Sequence, residues 1–180
     1  MEQKPCQFPP NHQGFSMRTT IEHFVQTYEF HRGRTLDLLA NLEKLADPHA
    51  ALAWRPGPGR AHVGWQLMHI GVTEDLFASE RLAQKPGKFA DLWPRFRGGS
   101  TPDEDVPTPE MIRRVLSENR AHFIATLGDY NDSRLDEIPE SLKERNWTVH
   151  TVLNVIGWHE AHHHGQAHIT VNLYKAASAR

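Results

Sequence analysis

The sequence predicts an all-α protein, a four-helix bundle, from three observations. Four segments carry apolar residues at three- and four-residue steps, the spacing of one buried helix face. No segment alternates apolar and polar residues between hairpin turns, as strands do. The 180 residues suit a single domain with one core, and four amphipathic helices fill such a domain as a bundle.

The first helix is expected over roughly Thr19 to Leu45. Phe24, Tyr28, Thr35, Leu38, Leu42 and Leu45 form its stripe, and Asp47-Pro48 ends it. The run WRPGPGR, Trp54–Arg60, follows as a loop because Gly and Pro interrupt it throughout. A second helix is expected from about Ala61 to Ala83, with Trp65, His69, Val72, Leu76 and Ala83 on one face. The stretch from Lys85 to Pro109 is a long connection, of a length that often carries function. Thr108 then caps the third helix, Pro109 suits its first position and Glu110 its positive dipole end. Its stripe is Ile112, Val115, Leu116, Asn119, Phe123 and Leu127. A polar connection over Gly128–Asn146 leads to the fourth helix, expected from about Trp147 to Lys175. Two long connections leave room for a helix order around the bundle that differs from the order in sequence. Residues 1–18, rich in proline and polar groups, are expected as an extended or disordered arm, and 19–180 as the bundle domain.

Composition narrows the function. Lys and Arg number 20 against 22 Asp and Glu, a net charge of −2, so no basic surface invites nucleic acid. The one cysteine, Cys6, excludes an internal disulfide and a Cys-rich zinc module. No apolar run reaches the roughly 20 residues of a membrane span, and MEQKPCQFPPNHQGF lacks a signal-peptide core. The expected compartment is the cytoplasm and the expected partner a small-molecule substrate.

The 13 histidines concentrate in WHEAHHHGQAH, Trp158–His168, on the fourth helix. With His159 at 0°, His163 lies near 40°, and Val152, Ile156, Ala167, Thr170 and Tyr174 lie within about 0–80°. His159 and His163 therefore project from the apolar face. His162 lies at its edge, near 300°, and His164 and His168 turn away, near 140° and 180°. Two inward histidines one turn apart can grip one divalent ion. The competing possibility is a pair of core histidines satisfied by hydrogen bonds. A third ligand has to come from a facing helix, and His69 on the second stripe is the best placed. His62 sits too near that helix's start. His122, beside the third stripe, is an alternative ligand or a supporting group. Three neutral imidazoles leave coordination positions open, the pattern of a reactive site, and zinc or nickel suits them.

His159-Glu160-x-x-His163 also matches the H-E-x-x-H motif of zinc proteases. The extended protease signature fails, because Gly165 and His168 each arrive one residue early. Strands to hold a peptide are missing as well. Glu160, near 100°, borders the inward face and is a candidate base, with a solvated surface carboxylate the preferred alternative. A di-iron carboxylate bundle needs a second Glu-x-x-His, which the sequence lacks.

LMHIGVTED on the second helix and WHEAHHHGQAHI on the fourth resemble the DinB/YfiT-like superfamily, over about residues 19–175. These are four-helix bundles described as metal-dependent hydrolases, and they include thiol-dependent S-transferases. Their pattern H-x-x-H-H-x-G-Q falls on His159, His162, His163, Gly165 and Gln166. The resemblance implies metal ligands His69, His159 and His163, a crossing connection between helices two and three, and a homodimer. It lends Glu160 no role. It implies a metal-dependent hydrolase or thiol S-transferase, with a small-molecule thiol as possible co-substrate. The alternative is a metal-binding or stress-related bundle protein without turnover. The loops Trp54–Arg60 and Trp93–Gly99 are expected to line the pocket.

Overall fold

A computed structural model describes residues 18–179; the expected arm, with Cys6 and His12, lies outside the described residues except for Arg18. The elements, in order, are α1 (Thr20–Leu42), α2 (Pro48–Ala53), α3 (Val63–Leu76), α4 (Trp93–Phe96), α5 (Pro109–Leu127) and α6 (Val149–Ser178). The described residues are helical with no strand, so the chain is an all-α bundle.

Local chemistry sets the boundaries. Thr19 caps α1 and Glu22 closes a reciprocal capping box with it. Asp47-Pro48 does more than end α1: Asp47 Oδ1 accepts from the Ala50 amide at 2.8 Å and Pro48 opens a short new helix. His62 caps α3, whose start is therefore Val63 rather than Ala61. From Phe77 to Ala83 the chain continues as a wider π-helical segment. Thr108 and Pro109 start α5 as the sequence indicates, and Thr148 caps α6. The two long connections are largely built: a 3₁₀ turn at Ala90–Leu92 and α4 occupy the first, and turns at Asp132–Arg134 and Glu140–Arg145 the second.

Helices α3 and α1 each pack against both α5 and α6, which makes α1 and α3 diagonal partners. The spatial order thus departs from the order in sequence. Gly71 permits the close approach of α3 and α5, since a Cβ there would stand 2.8 Å from Val115 Cγ1.

The core has two parts. One contains Leu39, Leu42, Leu52, Met68, Phe96 and Leu116. The other contains Tyr28, Phe123, Leu153 and Ile156. On every long helix a buried charge falls between the two: Arg32 on α1, Glu74 on α3, Arg120 on α5 and Glu160 on α6. Arg32 donates from Nε to Glu160 Oε1 at 2.8 Å and from Nη2 to Glu74 Oε2 at 2.7 Å. Arg120 pairs with both glutamates. Two guanidiniums and two carboxylates cancel, which makes their burial tolerable.

Asp75 ties down the crossing connection. Its carboxylate accepts from the Lys88 and Phe89 amides at 3.1 and 2.9 Å and from Trp93 Nε1 at 3.0 Å. Trp93 and Phe96 therefore pack the connection onto the bundle, and Phe96 is 1% exposed. No helix among the described residues is long and apolar enough to cross a membrane.

Candidate metal centre

His69 projects from α3, a helix buried on nearly all sides. The Trp65 ring, one turn earlier, stacks on it at 4.7 Å and 15°. Its Nδ1 lies 2.6 Å from the Phe96 carbonyl oxygen. A carbonyl only accepts, so Nδ1 carries the proton and Nε2 presents its lone pair. His159 and His163, one turn apart on α6, bring their rings within 4.7 and 4.5 Å of the His69 ring. His159 Nε2 stands 3.0 Å from His69 Nε2. One nitrogen from each of the three rings lies within 4.8 Å of the others, a group that can hold a metal ion.

The donor set fits a divalent cation. With metal–nitrogen bonds of about 2.0–2.1 Å, two imidazoles at about 90–110° around one ion stand roughly 2.9–3.4 Å apart. The observed 3.0 Å falls in that range. A hydrogen bond between His159 and His69 also accounts for that one contact, but it leaves His163 Nδ1 buried with no hydrogen-bond partner among the described residues. All three rings are held neutral, as ligands must be. Burial pushes His159 down to about 2, helped by His69, His163 and His162 beside it. Burial, then His69 and His162, pushes His163 down to about 4. Burial lowers His69 too, against the Phe96 bond.

The other histidines stand elsewhere. His62 Nδ1 accepts from the Trp65 amide at 3.0 Å, a capping role. His122 faces Ser79 Oγ at 3.0 Å, outside the cluster. His162 is exposed, stacks on Trp158 at 4.9 Å and contacts Gln166. His164 and His168 point away from the cluster, to a groove beside Arg34 and Asp37 on α1.

Glu160 requires a correction. It is 1% exposed, so it is no solvated surface carboxylate, and both oxygens accept from guanidiniums. It does not line the cavity beside the histidines. Burial alone would raise its pKa, but Arg32 and Arg120 hold it below the usual carboxylate value. One residue along a helix is about 100°, enough to turn His159 to the cavity and Glu160 to the bundle centre.

The histidines open on a cavity of about 630 Å³. Val72, Leu76 and Phe77 give it an apolar wall, and Thr73 and Ser100 supply hydroxyls. Pro94, Arg97, Gly98 and Gly99 come from the connection, so the expected loop Trp93–Gly99 does contribute. Trp54–Arg60 does not line the cavity. Its place is taken by Arg81 and by Arg145, from the turn before α6. Sequence periodicity had no means to find the Phe96 carbonyl, a backbone group. The buried charges did leave a signal: Arg32, Arg120 and Glu160 each interrupt an apolar stripe, four residues after Tyr28, Leu116 and Ile156.

The family model described as the DinB superfamily matches residues 27–167, which takes in all three histidines, the whole of α3 and α5 and most of α1 and α6. Among curated proteins, none matches the chain.

Proposed function

The chain belongs to the DinB superfamily, and from that premise we propose that it is a metal-dependent enzyme of the hydrolase or thiol S-transferase type. One observation carries the proposal: His69, His159 and His163 converge from two helices, and among the described residues no carboxylate or sulfur that would close the coordination sphere lines the cavity they open on. When bound there, a divalent ion, zinc or nickel by ligand preference, supplies Lewis acidity to a water, a thiol or a substrate carbonyl. His69, His159 and His163 would hold it. Phe96, through its carbonyl, fixes the His69 tautomer and ring plane. Trp65 backs the same ring and excludes water from that side. Val72, Leu76 and Phe77 offer apolar contact to a small substrate, and Thr73 and Ser100 offer hydrogen bonds.

The proposal includes a cytoplasmic homodimer. Exposed Trp158, Ile169 and Leu173, at 63, 62 and 46%, fall on one side of α6 and support self-association.

The test begins with elemental analysis of protein purified without a His-tag or nickel column. Stoichiometric metal is expected, and its absence would defeat the proposal. Metal-dependent consumption of an electrophile in the presence of candidate thiols then separates an enzyme from a metal-binding protein without turnover.

A further inference from the structure

Arginine is usually matched on this protein's surface. Arg34, Arg55, Arg95, Arg113, Arg114 and Arg134 each pair with a carboxylate. The cavity departs from that habit. Three arginines from three separate elements face it: Arg81 from the π-helical segment, Arg97 from the crossing connection and Arg145 from the turn before α6. No carboxylate lines the same wall among the described residues. Arg81 is engaged in part, with Glu80 at 3.2 Å and the Ser141 carbonyl at 3.4 Å. Arg145 lies over the Trp147 ring at 5.2 Å. Neither Arg97 nor Arg145 pairs with a carboxylate among the described residues. A chain of net charge −2 thus collects three guanidiniums around one cavity, two of them without a carboxylate partner among the described residues.

Such an excess repels a cationic substrate and gives a neutral one nothing to match. It suits an oxyanion, because the guanidinium fork matches carboxylate and phosphate geometry. We propose that the cavity takes a small organic anion, whose carboxylate or phosphate groups are held by Arg97 and Arg145 with Arg81 while its reactive end meets His69, His159 and His163. This rests on the metal-centre proposal for what happens at the reactive end. The anion site itself stands on the arginines.

The test uses the full chain loaded with cobalt(II), whose absorption reports a bound thiolate. Mercaptosuccinate, a thiol with two carboxylates, is titrated against 2-mercaptoethanol, a neutral thiol. The wild type should prefer mercaptosuccinate by about tenfold or more, the size of one charge-assisted contact. Added salt should erode that preference. The double variant Arg97→Met, Arg145→Met should bind cobalt in the same ratio and lose most of the preference. Equal affinity of the two thiols in the wild type would overturn the inference, as would a preference that salt and the double variant leave intact. If the protein takes up no cobalt, the metal-centre proposal fails by itself. The anion site is then measured on the metal-free protein: succinate or inorganic phosphate should raise the Tm of the wild type and not of the double variant. A larger shift with succinate assigns carboxylates, and a larger shift with phosphate assigns phosphate esters. No shift with either overturns the anion site.

Discussion

Glu160 accepts a hydrogen bond from Arg32 Nε at 2.8 Å in the middle of the bundle, while its neighbour His159 faces the cavity. A single turn of α6 thus serves the histidine cluster with one residue and the fold with the next. The ion group of Arg32, Glu74, Arg120 and Glu160 draws one residue from every long helix. It fixes the rotation of α6, and so the direction in which His159 and His163 point.

Removing one member should therefore cost more than a surface ion pair. Glu160→Ala and Arg32→Ala should each lose about 3–5 kcal/mol, because the partner is left charged and buried. The double variant should lose clearly less than the sum. Urea denaturation of the three proteins measures this, and strictly additive losses would show that the pair does not act as a unit.

The proposed metal ligands separate from the other histidines by substitution. His69→Ala, His159→Ala and His163→Ala should each abolish stoichiometric metal binding. His62→Ala, His122→Ala, His164→Ala and His168→Ala should retain it, since those rings stand outside the cluster. Elemental analysis of untagged protein decides between them. Retention by all three of the first group would remove the proposed site.

Acid should weaken the metal-free protein. In the unfolded chain a histidine takes up its proton near pH 6.5. In the folded chain His163 resists protonation until about 4 and His159 until about 2. Below pH 6.5 the unfolded state therefore binds more protons, and stability falls as pH falls. The part of the decline due to these two histidines should run from pH 6.5 to about 4 for both and on toward 2 for His159, where the depressed Glu160 carboxylate adds to it. Chemical denaturation between pH 7.5 and 4.5 reads the slope, and His159→Phe should flatten it. An unchanged slope in that variant would count against His159 as its source.

Asp75 links the crossing connection to the centre. Asp75→Ala strands the Lys88 and Phe89 amides and the Trp93 indole donor. The expected cost is about 2–4 kcal/mol, from two or more donors left unpaired in a buried setting. The same connection carries the Phe96 carbonyl that orients His69. Metal affinity should therefore drop by about tenfold or more, although Asp75 is no ligand. Competition with a chromogenic chelator measures the affinity. Full affinity in a destabilised variant would show that the connection does not position His69.

Much of this protein was legible in the sequence because helices are local. Apolar spacing gave the four long helices, the Thr108 cap gave the start of α5, and the 100° step turned His159 and His163 inward. The same step placed His164 and His168 on another face. What the sequence left undecided depends on groups brought together across the bundle. The diagonal placement of α1 and α3 comes from packing. Glu160 had to meet Arg32 and Arg120, which lie 128 and 40 residues away, before it could be a core residue. The Phe96 carbonyl carries no sequence signal at all, because any residue there presents the same group. Arg81, Arg97 and Arg145 share no spacing, and only the crossing connection and the turn before α6 bring them to one wall. Periodicity determines which face a side chain takes; tertiary packing alone determines what that face meets.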